Sequence, residues 1–182
     1  ETVSFSNEDT ERTKLYQIEA ERVKVYQKFT NEDEFLKSLN MLSDIQPFNK
    51  FNTPRIAQLS QRSNQFNLRT MRYTEADIER FSTSDDYVTF CYTLEDKFGD
   101  NGLICVIILH KQDKMSLFID TWFMSCRVLK RGMENFVLKT IINFAKKNGF
   151  TTIKGEYIPT MKNDMVKDHY PNLGFKKSQT YF

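Results

Sequence analysis

The sequence predicts an α/β protein, a mixed central sheet with flanking helices, preceded by an N-terminal helical region. Three observations carry this. Residues 1–66 show apolar side chains at helical spacing only. From residue 67 onward, short β-prone runs alternate with helical patterns. The stretch "FMSCRVLKRGMENFVLKTIINFAKKNGF" (123–150) passes from a strand through a basic loop with one glycine into an amphipathic helix, a crossover that usually returns to a parallel neighbour. The division is therefore 1–66, a helical region or linker, and 67–182, the α/β domain.

The first helix is expected from Glu8 to about Phe29, because Leu15, Ile18, Arg22, Val25 and Phe29 recur at its period. A second is expected to begin at Thr30, with Asp33 as the acid of its first turn, and to carry Phe35, Leu36 and Leu39. A third follows Pro54 through Ile56, Leu59 and Arg62. "NLRTMRY" (67–73) alternates like a strand, and Thr74 caps a short helix through Ile78 and Phe81. "YVTFCYTLED" (87–96) and "GLICVIILHK" (102–111) read as a hairpin joined by "KFGDNG", where Asp96 and Asp100 are ordinary turn residues. The nearly unbroken apolar run of the second strand makes it central, covered on both faces. "SLFIDTWFMS" (116–125) is the next strand, and the helix after Gly132 buries Val137, Leu138, Ile141, Ile142 and Ala145 before stopping at Asn148-Gly149. "TTIKGEYIPT" (151–160) supplies the parallel strand, "MKNDMVKDHYPNLG" a helix broken by Pro171, and "FKKSQTYF" a last strand.

Composition narrows the function. Hydrophobic residues at 40%, with sixteen Phe and eight Tyr, supply a globular core, and 27% charged residues a soluble surface. A net charge of +2 is too small to imply general binding to nucleic acid or a membrane surface, so any anion site is local. Cys91, Cys105 and Cys126 are too few and scattered for a disulfide framework, and no C-x-x-C pair suggests zinc; a reducing cytoplasm and no metal are expected. The longest apolar run, Leu103 to Leu109, falls far short of the ~20 residues a membrane helix needs, and no leader precedes it. The chain opens without an initiator Met, which points to a piece of something longer.

The chemistry-bearing residues gather around the crossover. Arg127, Lys130 and Arg131 stand beside the first turn of a helix, whose free N–H groups and dipole attract anions. They could engage a phosphate or acidic partner residues, or be a solvated basic turn. Glu134 opposes an anion at the same helix start. Cys126, at a strand end next to those charges, is either an activated nucleophile or a small packing residue. Cys105 belongs to the core, and Cys91 has no basic neighbour. His110 closes an apolar strand and His169 faces outward on this reading, so a Ser-His-Asp or Cys-His-Asp machine has little support. The polar run Ser63, Asn64, Gln65, Asn67 either caps turn and helix ends or lines a cleft.

The order strand, phosphate-facing loop, helix, strand, helix resembles the GNAT acyltransferase fold over residues 67 to 182. Asn163, Val166, Tyr170, Gly174 and Phe175 fall at the spacing of that family's Asn-x-x-Ala-x-x-x-Tyr-x-x-x-Gly-Phe helix. The resemblance implies a coenzyme A thioester held by Arg127, Lys130, Arg131, Gly132 and Asn163, with Tyr170 protonating a departing thiolate; Tyr170 also reads as an aromatic packed under the last strand. The family's loop, Gln/Arg-x-x-Gly-x-Gly/Ala, is departed from: with Gly132 central, Leu129 and Glu134 stand where Gln or Arg and a small residue belong.

A narrower resemblance runs through "RIAQLSQRSNQFNLRTMRY" (55–73), "EDKFGDNGLICV" (95–106), "SCRVLKRGMEN" (125–135) and "GEYIPTMKN" (155–163). These blocks are similar to the C-terminal region of FkbH-like proteins. Those load a glyceryl unit from bisphosphoglycerate onto an acyl carrier protein, for methoxymalonyl-type extender-unit and tetronate biosynthesis. The resemblance implies an acyl- or glyceryl-transferase domain using phosphopantetheine of an acyl carrier protein or coenzyme A. Its catalytic residues would be Cys126 and Tyr170, and its partner a HAD-type phosphatase domain of the parent polypeptide. That domain's Asp-x-Asp-x-Thr motif does not occur here. The other reading is a non-catalytic module that recognises the carrier protein for the phosphatase.

Overall fold

The computed structural model describes residues 7–178. The chain divides into two compact units, one comprising residues up to Asp44 with Thr93–Leu103, the other Ile45–Tyr92 with the chain from Ile104 onward.

In the first unit, helix α1 (Asn7–Tyr26) turns its stripe of Leu15, Ile18 and Val25 inward to half-burial, and Arg22 on that stripe is buried. Arg22 is tolerated there because its guanidinium meets the Asp96 carboxylate at 2.7 Å and also pairs with Glu19. Asp96 is thus more than a turn residue, although its other oxygen does accept the Phe98 N–H at 3.0 Å. Helix α2 (Glu32–Ser38) starts one residue later than the sequence suggested, because Asn31 rather than Thr30 caps it, accepting the Asp33 N–H at 2.9 Å. Its Phe35 packs between the rings of Tyr26 and Phe29.

The second unit holds most of a five-stranded sheet, ordered β1-β2-β3-β4-β5. The strands are β1 (Ile45–Gln46), β2 (Tyr87–Asp96), β3 (Gly99–Lys111), β4 (Ser116–Met124) and β5 (Thr152–Gly155). Antiparallel β1·β2 and β3·β4 pairs and a parallel β4·β5 pair make the sheet mixed. Strand β3 is central, and Ile104 to Leu109 are fully buried, as the apolar run requires. The β2–β3 turn is shorter than expected, only Lys97 and Phe98, because β3 already begins at Gly99.

Helix α3 (Thr53–Arg62) buries Ile56 and Ala57, and α4 (Glu75–Thr83) is closed at its start by a reciprocal Thr74–Asp77 capping box. Helix α5 (Met133–Lys147) buries Val137, Ile141 and Ala145. It ends where Gly149 takes φ +81° and Phe150 N–H returns to the Ala145 carbonyl at 2.9 Å.

Four elements differ from expectation. Residues 67–73 form no strand: the Asn67 side chain accepts the Thr70 N–H at 2.9 Å and Thr70 turns to φ +55°, leaving Asn67 alone bridged to Phe123. The parallel strand stops at Gly155 instead of running to residue 160. The "MKNDMVKDHYPNLG" segment is a 3₁₀ turn at Asp164–Val166 followed by the short helix α6 (His169–Asn172), which contains Pro171 within its first turn, where no N–H is needed. Residues 175–178 are not a strand, and the rest of the expected last strand lies outside the described residues. No helix among the described residues is long and apolar enough to cross a membrane.

Candidate functional site

Strands β4 and β5 pair only from Ser116↔Thr152 to Ile119↔Gly155 and then part. The gap beyond them is filled by the chain itself. Leu68 N–H bonds the Trp122 carbonyl at 3.2 Å, Met124 N–H bonds the Phe66 carbonyl at 3.1 Å, and Ile158 N–H bonds the Leu68 carbonyl at 2.8 Å. Residues 66–68 are therefore a bonded segment laid along the edge of β4, with Asn67 as its single bridge. An arm entering between the parted strands would meet an edge whose groups are already bonded.

Asn163 locks that insert. Its buried amide donates to the carbonyls of Asn67 (3.0 Å) and Ile158 (2.9 Å), and its oxygen accepts the Thr160 N–H at 2.7 Å. Both amide hydrogens are engaged inside the protein, so none is left for a cofactor.

A cleft of ≈ 390 Å³ opens between the start of α5 and the 164–173 segment, lined among others by Phe66, Lys130, Glu134, Met165 and His169. Its basic rim is thinner than the sequence suggested. Lys130, exposed and in the left-handed region at φ +59°, lines it. Arg131 is buried and donates to the Arg127 carbonyl at 2.7 Å, while the Arg127 side chain turns back to Ser125 Oγ at 3.2 Å. These two arginines brace the loop. Gly132 serves as N-cap of α5 at φ +80°, a conformation that only glycine adopts cheaply.

Cys126 opens a 3₁₀ turn, Cys126–Val128, and is exposed, its thiol donating to Gln65 Oε1 at 3.3 Å. Of the expected polar run, Gln65 thus touches a candidate residue and Asn67 makes the turn at Thr70. Cys105 is buried, and burial pushes its thiol well above the usual range.

Tyr170 is buried with its ring against Gly155, where an added Cβ would stand 2.5 Å from Tyr170 Cζ. Burial raises its phenol well above its ordinary pKa, and its hydroxyl has no hydrogen-bonding protein group in reach. His169 does not face outward. It is buried edge-on against Trp122, with ring centroids 4.3 Å apart, and burial lowers its pKa from 6.5 to about 4. Sequence reasoning missed Phe66, Trp122 and His169 as neighbours. Periodicity could not place His169, since the break between the 3₁₀ turn and α6 loses the helical phase. Among the described residues no group of three or more His, Cys, Asp or Glu could hold a metal ion.

No family model matches the chain. Solved structures do. AAC(6')-Iy in complex with a CoA-linked bisubstrate analogue matches 78% of this chain and 95% of its own at a TM-score of 0.59 and 15% identity. The ribosomal-protein-S18-alanine N-acetyltransferase from Escherichia coli matches 76% and 80%, at 0.56 and 14%. A possible acetyltransferase from Clostridium difficile 630 matches 78% and 95%, at 0.56 and 13%. The fold is that of the GNAT acetyltransferases. At such identities the likeness is one of architecture.

Proposed function

We propose that this chain is an acyl- or glyceryl-transferase domain that works on the thioester of a phosphopantetheine arm, carried by an acyl carrier protein or by coenzyme A. The observation that carries the reading is the cleft between α5 and the 164–173 segment, of the size small-molecule sites commonly have, ~300–1,000 Å³. Its outer rim offers Lys130 and the N–H groups of α5 to a phosphate, and its inner wall is apolar and aromatic. Two of the structural neighbours are described as complexes with CoA or a CoA conjugate, which supports the same ligand class.

Of the two catalytic candidates, only Cys126 is open to an incoming substrate. Its sulfur would attack the thioester carbonyl, forming a new S–C bond as the bond to the arm breaks, and its proton would pass to the departing thiolate. Tyr170 is buried, so a role as proton donor requires the reacting sulfur to reach the Trp122–His169 pair. The acyl carrier protein, and a HAD-type phosphatase domain on the parent polypeptide supplying the unit to be loaded, complete the proposal in line with the FkbH-like resemblance.

A second reading, a non-catalytic module that receives the carrier protein, is favoured by the closed edge of β4. Ligand-induced stabilisation separates the two. The transferase reading expects the melting temperature to rise with acyl-CoA or acyl-pantetheine and Cys126→Ala to lose acyl transfer. Stabilisation by holo carrier protein alone, with no acyl transfer by the unaltered chain, overturns it, whereas transfer that survives in Cys126→Ala overturns only the role of Cys126.

A further inference from the structure

Three buried polar atoms behind the cleft wall are left unexplained by the transferase reading. Trp122 Nε1, His169 Nε2 and Tyr170 Oη have no hydrogen-bonding protein partner, though their residues are only 0, 8 and 6% exposed. Their rings touch one another, with centroids 4.3 Å apart for Trp122–His169, 5.3 Å for His169–Tyr170 and 6.2 Å for Trp122–Tyr170. Phe66 closes another side, its ring 5.2 Å from His169. Buried polar groups almost always find partners, and three adjacent exceptions call for a common cause. His169 lines the cleft, which gives a ligand a route to them.

The chemistry of the trio selects its guest. The indole offers a donor only, the phenol a donor and an acceptor, and the imidazole, neutral at pH 7 because burial depresses its pKa, one or the other. None carries charge, and the charges of Arg69 and Glu156 that act on the Tyr170 phenol oppose each other, so a phosphate, carboxylate or ammonium would be desolvated with little compensation. An uncharged oxygen fits.

We propose that Trp122, His169 and Tyr170 form a receptor for the uncharged carbonyl or hydroxyl oxygen of the group carried on the thioester arm. The proposal rests on the reading that the cleft takes such an arm, and it assigns the acyl end to the His169 side of the cleft and the phosphate end to Lys130. Phe66 then stands beside the acyl end and limits its bulk.

The chain suits the test, since Trp122 is its single tryptophan and His110 and His169 its only histidines. S-acetylpantetheine and S-ethylpantetheine, which differ in that oxygen, are titrated while Trp122 fluorescence and backbone amide NMR shifts are followed. The acetyl compound is expected to bind about 3- to 10-fold more tightly, the range of one or two neutral hydrogen bonds, and alone to shift Trp122 emission and the His169 ring signals. His169→Phe and Tyr170→Phe, which keep the rings, are expected to erase the difference and leave S-ethylpantetheine binding intact. If His169→Phe does not fold, Tyr170→Phe alone decides. Equal binding of both compounds, with shifts at Lys130 and Glu134 but none at Trp122 or His169, overturns the receptor while the cleft reading stands. Binding of neither overturns both. A crystal structure with S-acetylpantetheine in the cleft and only a water between the three side chains also overturns the receptor.

Discussion

Asn163 holds Asn67 in place: the buried amide of one donates to the backbone carbonyl of the other at 3.0 Å, across 96 residues of sequence. This single side chain ties the segment along β4 to the loop after β5, since its second hydrogen goes to Ile158 and its oxygen takes the Thr160 N–H. Asn163→Ala should therefore take a hydrogen bond from two carbonyls and one N–H and lower stability by about 2–4 kcal/mol. Urea unfolding measures the loss. Hydrogen exchange should accelerate most at Leu68 and Ile158, and a uniform acceleration would argue against the clamp.

Within the N-terminal unit the side chains of Arg22 and Asp96 are 4% and 0% exposed and 2.7 Å apart. Removing one partner of such a pair strands the other. Arg22→Ala is expected to destabilise the packing of α1 by about 3–5 kcal/mol, and the double change Arg22→Met with Asp96→Leu by much less. Exchange rates of the α1 amides read both outcomes.

Two glycines should fail for different reasons. At Gly155 the backbone is ordinary, but a Cβ would collide with Tyr170 Cζ at 2.5 Å, so Gly155→Ala should cost about 1–3 kcal/mol or more and be relieved by Tyr170→Ala. At Gly132 space is open but φ is +80°, so Gly132→Ala should cost only ~1 kcal/mol, with no rescue by any side-chain change. Thermal unfolding of the single and double variants distinguishes them.

His169 makes stability depend on acid. Its folded pKa of about 4 lies below the unfolded 6.5, so between those values the unfolded chain binds the extra proton. The contribution is fully present above pH 6.5 and is lost as pH falls toward 4, about 3 kcal/mol in all. The urea midpoint should drop over that window, and His169→Phe should flatten the slope.

How much of this could be read in advance follows from what each element depends on. The stripe of α1, the capping box at Thr74, the buried run of β3 and the stop of α5 at Asn148-Gly149 are local patterns, and all four stand in the structure. Strand β5 is not local. Its sequence suits a strand to residue 160, yet it stops at Gly155 because Phe66 to Leu68 hold the next groups of β4. Asn67 belongs to the polar run that reads as capping turn ends, and it does so at Thr70, but the alternation of residues 67–73 hides that this turn replaces a strand. The site suffered likewise. Clustered charge at 127–131 was legible, whereas the inward turn of Arg131 and the meeting of Trp122 with His169 depend on contacts 4 and 47 residues apart that no spacing encodes.

The opposing charges at the start of α5 support the last prediction. Lys130 and Glu134 both line the cleft, and Arg131 is withdrawn into the loop, so among the described residues the cleft's lining sets a lysine and a carboxylate before an incoming anion. A single phosphate can sit by Lys130 and the helix N–H groups. The second phosphate of a diphosphate must approach Glu134, in a first turn whose dipole would otherwise welcome it. Phosphopantetheine should accordingly bind better than coenzyme A. Glu134→Gln removes the charge and keeps the shape, and should tighten coenzyme A about 2- to 5-fold with little change for phosphopantetheine. Glu134→Gly removes the bulk too, but costs the helix ~1 kcal/mol, so the two variants separate repulsion from obstruction. Lys130→Glu should weaken both ligands, most at low salt where screening is least. Isothermal titration of the unaltered chain and the three variants with both ligands gives eight constants at each of two ionic strengths. Coenzyme A binding the unaltered chain as tightly as phosphopantetheine, and no tighter in Glu134→Gln, would mean that the carboxylate does not face the phosphates.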